Sequence, residues 1–91
     1  MTKGKARRVD FYPDEYIAGV GGVLRADEQG VYWMLCSLIM CEGGPIEENN
    51  RRFAALCRIR PADVKKIVET LVRAGKLLRQ NDGKLLRGHR E

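Results

Sequence analysis

The sequence predicts a mainly α-helical domain with a small β-hairpin, arranged as a winged helix-turn-helix. Three observations carry that expectation. From Pro45 to Arg87 the chain reads as a short extended segment, two helices joined by a tight turn, and a hairpin. The second of those helices has apolar residues at strict helical spacing. The same stretch also holds most of the positive charge, so shape and electrostatics point to nucleic acid as the partner.

Taken from the N-terminus, residues 1–9 read as a basic flexible arm, 10–87 as the domain and 88–91 as a tail. Pro13, followed by Asp14 and Glu15, suits the opening turn of a short helix, which Gly19, Gly21 and Gly22 end. The longest helix is expected from about Ala26 to Cys41, with Asp27 and Glu28 in its first turn and Glu42-Gly43-Gly44-Pro45 as its terminator. Its residues from Val31 to Cys41 are apolar around the whole circumference, so it needs cover on more than one side. Either Phe11, Tyr12, Tyr16 and Ile17 pack over the far side, or a second copy of the chain does. Gly30, early in this helix, implies close approach of a neighbouring element.

Pro45-Ile46-Glu47 is short enough for an edge strand, with proline where no ladder donor is missed. Asn49 and Asn50 can accept hydrogen bonds from the free amides of the next helix, whose core face is read as Phe53, Leu56 and Cys57. Arg58-Ile59-Arg60 forms the break: Pro61 disfavours a helical Arg60 and starts a new helix well. Val64, Ile67, Val68, Leu71 and Val72 then form an amphipathic stripe for a helix from Pro61 to Ala74, ended by a left-handed Gly75. Leu77–Gln80 and Lys84–Arg87 are strands around Asn81-Asp82-Gly83, where a terminal glycine supplies the positive angle of a tight hairpin.

The 91 residues allow one domain with a modest core, and 44% apolar with 32% charged residues is a globular balance. No apolar run approaches the roughly 20 residues of a membrane span, and no secretory signal follows the basic start, so a cytoplasmic protein is expected. Cys36, Cys41 and Cys57 are expected as reduced thiols, with Cys36 and Cys41 buried in the apolar helix. No Cys-x-x-Cys occurs and the single histidine, His89, falls in the tail, so neither a metal nor another cofactor is expected. The net charge of +5 hides an asymmetry: residues 1–8 sum to +4, residues 9–50 to −7 and residues 51–90 to +9. The basic block coincides with the helix-turn-helix and hairpin.

Asp10-Phe11-Tyr12-Pro13-Asp14-Glu15-Tyr16, then Leu24 through Tyr32 with Glu28 and Gly30, then Gly43-Gly44-Pro45-Ile46 resemble the YdaU-like family of uncharacterised bacterial and prophage proteins. The resemblance covers roughly residues 10–87. It implies a winged-helix domain akin to the N-terminal domains of phage and plasmid replication initiators. Arg25 departs from the small capping residue of that pattern, and the long C-terminal region of many relatives is not in the sequence.

The expected function is binding of double-stranded DNA with weak or modest sequence specificity, in phage or prophage replication or regulation. The helix from Pro61 to Ala74 is the recognition element. Its outward face carries Ala62, Lys66, Glu69 and Arg73, with Asp63, Lys65 and Thr70 at the margins. Lys66 and Arg73 can reach guanine acceptors and Thr70 either base type. Arg51 and Arg52, Arg58 and Arg60 in the turn, and Arg79, Lys84 and Arg87 in the hairpin would meet phosphates. The same helix face also reads as solvated, with Lys65–Glu69 and Glu69–Arg73 pairs, and Asp63 and Glu69 would repel a phosphate. The arm with Lys3, Lys5, Arg7 and Arg8 is either a minor-groove contact or a solubilising tail. Stacking on single strands is disfavoured, because the basic half has no aromatic except core-facing Phe53. The alternative function is a protein-interaction module that self-associates through the apolar helix Ala26 to Cys41. An enzyme is not expected: there is no phosphate loop and no nucleophile motif, and Glu47 and Glu48, adjacent in a strand, would face opposite ways.

Overall fold

Pro13 opens the first helix, α1 (Pro13–Gly19), with Asp14 and Glu15 beside its positive end. The computed structural model describes residues 11–88. The basic arm (Lys3, Lys5, Arg7, Arg8), Asp10 and His89 therefore lie outside the described residues. A turn through Gly22 leads to α2 (Ala26–Glu42), where the Glu28 carboxylate accepts the Arg25 amide at 2.8 Å. Arginine has no acceptor to return, so only this half of a capping box forms.

The apolar circumference of α2 is shared among several neighbours. Val31, Tyr32, Leu35, Cys36 and Ile39 are buried, and Leu38 and Met40 pack at the margin of the core. Trp33 remains 46% exposed, with the rings of Phe11 and Tyr16 at 5.8 and 5.7 Å from its own. The expected lid is thus half made, since Ile17 is 66% exposed and Tyr12 also faces outward. Two expectations are corrected here. Cys41 is exposed, because it falls off the buried stripe at the helix end. At Gly30, no described atom beyond its chain neighbours and the adjoining helix backbone lies within 4 Å of where a Cβ would sit, so no packed element needs the glycine. Gly30→Ala is therefore expected to stabilise the fold by about 0.5–1 kcal/mol, measured by urea unfolding. A destabilised variant would mean that a close neighbour does exist.

α3 (Asn50–Cys57) begins at Asn49, whose side chain accepts the Arg52 amide at 3.1 Å. Asn50 does not cap: it is already helical, and its buried Oδ1 has no partner among the described residues. The core face is Phe53 and Ala54 with Cys57 partly buried, while Leu56 is 42% exposed. The stripe runs one position round from the expected one. Arg58 then takes a left-handed conformation at φ 61°, and α4 (Pro61–Arg73) starts on its proline. Val64, Ile67, Val68 and Leu71 are buried as their spacing requires.

Gly75, at φ 77°, reverses the chain into β1 (Leu77–Arg79), which pairs antiparallel with β2 (Leu85–Arg87). Gly83, at φ 87°, supplies the hairpin's positive angle, and the Asp82 carboxylate accepts the Lys84 amide at 2.9 Å. The expected third strand reduces to a single antiparallel bridge, Ile46 to Leu85, with amide–carbonyl distances of 2.9 and 2.7 Å. α2, α3 and α4 pack pairwise around Phe53, Leu35, Leu71 and Ile46, while β1 lies on α4 and β2 on α2. The architecture is mainly helical, with one small hairpin closing the core.

Candidate nucleic-acid interface

The outward side of α4 exposes Ala62, Lys65, Lys66 and Arg73, as the spacing of its buried residues demands. Thr70 is half-buried and its hydroxyl donates to the Lys66 carbonyl at 3.0 Å, so its donor is occupied within the helix. Arg51 is exposed at the start of α3, Arg58 in the turn before α4, and Lys84 is half-buried at the hairpin. None of Arg51, Arg58, Lys65, Lys66, Arg73 and Lys84 has a salt-bridge partner among the described residues.

The other arginines on these elements are engaged. Arg52 meets Glu42 of α2 at 3.3 Å, and Arg60 meets Asp63 at 3.1 Å. Arg79 makes a bidentate contact with Glu48 at 2.7 and 2.9 Å and a second with Glu69 at 2.7 Å. Glu69 thus turns to Arg79 across the fold, and the expected salt bridges with Lys65 and Arg73 do not form. Both acids that would repel a phosphate from α4 are matched by a cation.

The register explains why Arg79 is placed this way. Residues directly opposite on an antiparallel pair share a face, so Leu77, Arg79, Leu85 and Arg87 lie together. Leu77 and Leu85 are fully buried, so that is the face turned to the helices. Arg79 consequently reaches Glu48 and Glu69, while Arg87, at the strand end, stays exposed and its charge acts on Tyr32 and Cys36 of α2. Sequence reasoning treated Arg79 as an outward hairpin cation because a three-residue strand has no alternation long enough to show its inner face. Glu48, considered as a poor acid/base partner for Glu47, was the missed member of the clamp.

The clamp ties the segment after Ile46, α4 and β1 together. Hydrogen bonding from Arg79 holds the Glu69 carboxyl below its ordinary value of 4.5, and hydrogen bonds to Glu48 and then Glu69 raise Arg79. A depressed folded value means that the Glu69 contribution is present above pH 4.5 and is lost as pH falls through the folded value. Because Arg79 is partly exposed, Arg79→Ala is expected to cost about 1–2 kcal/mol at neutral pH. It should also flatten the acid-side loss of stability. Unfolding curves of both proteins across the acid range check this, and identical acid limbs would refute the clamp.

Burial raises the Cys36 thiol and the Tyr32 hydroxyl, which face each other one helical turn apart, with the Arg87 cation alongside. Cys57 is raised by burial as well. Among the described residues no cluster of His, Cys, Asp and Glu could hold a metal ion, and no helix is long and apolar enough to cross a membrane.

The chain belongs to a family described as protein of unknown function (DUF1376), whose profile matches residues 9–90. Membership in an uncharacterised family is what the sequence led us to expect. No curated protein and no solved structure matches the chain.

Proposed function

We propose that this member of the DUF1376 family is a winged helix-turn-helix protein that binds double-stranded DNA with weak or modest sequence specificity. In this reading α3 and α4 form the helix-turn-helix, α4 enters the major groove, and the β1–β2 hairpin is the wing. The order α2, Ile46 bridge, α3, α4, β1, β2 supports the fold assignment. One observation carries the functional reading. Asp63 and Glu69 are matched by Arg60 and Arg79, which leaves no carboxylate within salt-bridge distance of Lys65, Lys66 and Arg73 on α4 among the described residues.

Arg51, Arg58, Lys65 and Lys84 then meet phosphates, while Lys66 and Arg73 reach base edges. Arg79 acts by holding the hairpin against α4, and Arg52 and Arg60 contribute only where their acids release them. With few base-reading donors, affinity exceeds specificity. The cytoplasmic setting rests on the expected reduced thiols, and a role in phage or prophage replication or regulation on the YdaU-like resemblance. A second reading, a dimerisation or docking module built on α2, is favoured by the exposed Phe11, Ile17, Val23 and Trp33.

Anisotropy of the full chain on a labelled duplex across a salt series separates the two. Contact with about five phosphates gives a log–log slope near −4.5. Absence of binding at low salt, together with a concentration-dependent dimer in light scattering, would replace the first reading by the second.

A further inference from the structure

A cleft of about 460 Å³ opens between the N-terminal segment, α2 and the open end of the hairpin. That size falls within the range of small-ligand sites, roughly 300–1,000 Å³. Its two walls differ in chemistry. One wall is aromatic: Phe11, Tyr16 and Trp33 meet each other with ring centroids 5.7–5.8 Å apart. Phe11 and Trp33 remain 54% and 46% exposed, so ring surface is left over beyond their mutual contact.

The facing wall is cationic. The hairpin ladder ends with the Gly88 amide donating to the Lys76 carbonyl at 3.0 Å, and both Lys76 and Arg87 line the cleft, the Lys76 ammonium lying 3.7 Å from where a Gly19 Cβ would sit. A Cβ at Gly88 would collide with the Gly75 carbonyl, so the strand end is held tightly against the end of α4. Neither Lys76 nor Arg87 has a salt-bridge partner among the described residues. Glu15, also on the cleft, is an acceptor. The α4 end bordering the cleft is a C-terminus, whose dipole does not help an anion, so the two side chains supply all the positive charge.

We infer that this cleft binds a nucleoside phosphate, stacking the base on the Phe11–Tyr16–Trp33 wall and holding the phosphate between Lys76 and Arg87. A planar ring carrying an anion a few ångströms away matches both walls at once. Glu15 is placed to accept from a sugar hydroxyl or an exocyclic amine. The sequence separates the aromatics from the basic half, and the fold brings them together in this cleft. The ligand is either a free nucleotide or the unpaired 5′ end of a strand. The site is independent of the duplex reading, since Arg51, Lys65, Lys66 and Arg73 do not line it.

Trp33 is the only tryptophan in the chain and so reports directly on the cleft. Its emission should be followed while the full chain is titrated with nucleoside 5′-monophosphates, adenosine, inorganic phosphate and a short 5′-phosphorylated single strand. The expected result is saturable quenching by the monophosphates, with adenosine and phosphate each weaker by about tenfold or more. Lys76→Ala, with unchanged circular dichroism, should weaken the monophosphate by about tenfold. Quenching by the strand alone supports the strand-end source, provided that it survives Lys66→Glu with Arg73→Glu. Quenching by the strand that is lost in that variant belongs to the α4 face and overturns the inference. So does an absence of saturation by any monophosphate or strand, or quenching that follows protein concentration as the chain self-associates. Should Lys76→Ala fail to fold, calorimetry on Trp33→Phe, expected to bind several-fold more weakly, replaces it, and undiminished affinity there would overturn the stacking wall.

Discussion

Lys66→Glu combined with Arg73→Glu is expected to abolish retention of the protein on duplex DNA while leaving the fold intact. Each substitution removes a cation from the outward face of α4 and adds an anion in its place. Both parent side chains are exposed and neither makes a salt bridge among the described residues. Stability should therefore change by no more than about 0.5 kcal/mol. Affinity should fall by at least about a hundredfold at roughly 0.1 M salt, because two contacts are lost and two repulsions gained. Anisotropy titrations beside thermal unfolding check both halves. Unchanged binding would remove α4 from its assigned role and leave the hairpin and Arg51 as the remaining candidates.

Phe53→Ala should have the largest effect on the fold itself. Phe53 is fully buried and is the bulkiest of the inaccessible side chains, in the middle of an eight-residue helix. So short a helix has little stability of its own and is held by packing. Truncation removes the ring's burial and leaves a cavity among α2, α3 and α4, a loss of about 3–5 kcal/mol. In a domain of this size that corresponds to a fall in melting temperature of roughly 15–30 °C, enough to leave the chain partly unfolded at physiological temperature. Phe53→Leu, which keeps most of the volume, should cost about 1.5 kcal/mol or less. A loss below about 1 kcal/mol for the alanine variant would contradict the packing of α3 described above.

The helices were legible because their signals are local. Pro61 at a helix start, Val64-Ile67-Val68-Leu71 as a stripe and Gly75 as a left-handed stop each need only a few neighbouring residues. The hairpin was legible for the same reason, through Gly83. Short elements gave less. In α3 the inward face was misplaced from Ala54 to Leu56, since eight residues barely define a phase. The role of Gly30 could not be read either, because close approach depends on elements distant in sequence, and among the described residues none comes near.

Sequence by itself determined the helical order, the hairpin, the basic second half and the outward cations of α4. Each of these follows from periodicity, backbone preference or composition along a continuous stretch. Only the tertiary structure decided which charges are spent and which remain. Arg79 is held by Glu48 and Glu69, residues 31 and 10 positions away, and Arg60 covers Asp63, so the acids of α4 are neutralised. Arg87 and Lys76 come to line one cleft with rings from the opposite end of the chain. The physical reason is that electrostatic pairing depends on distance in space, and register and packing set that distance where sequence separation does not.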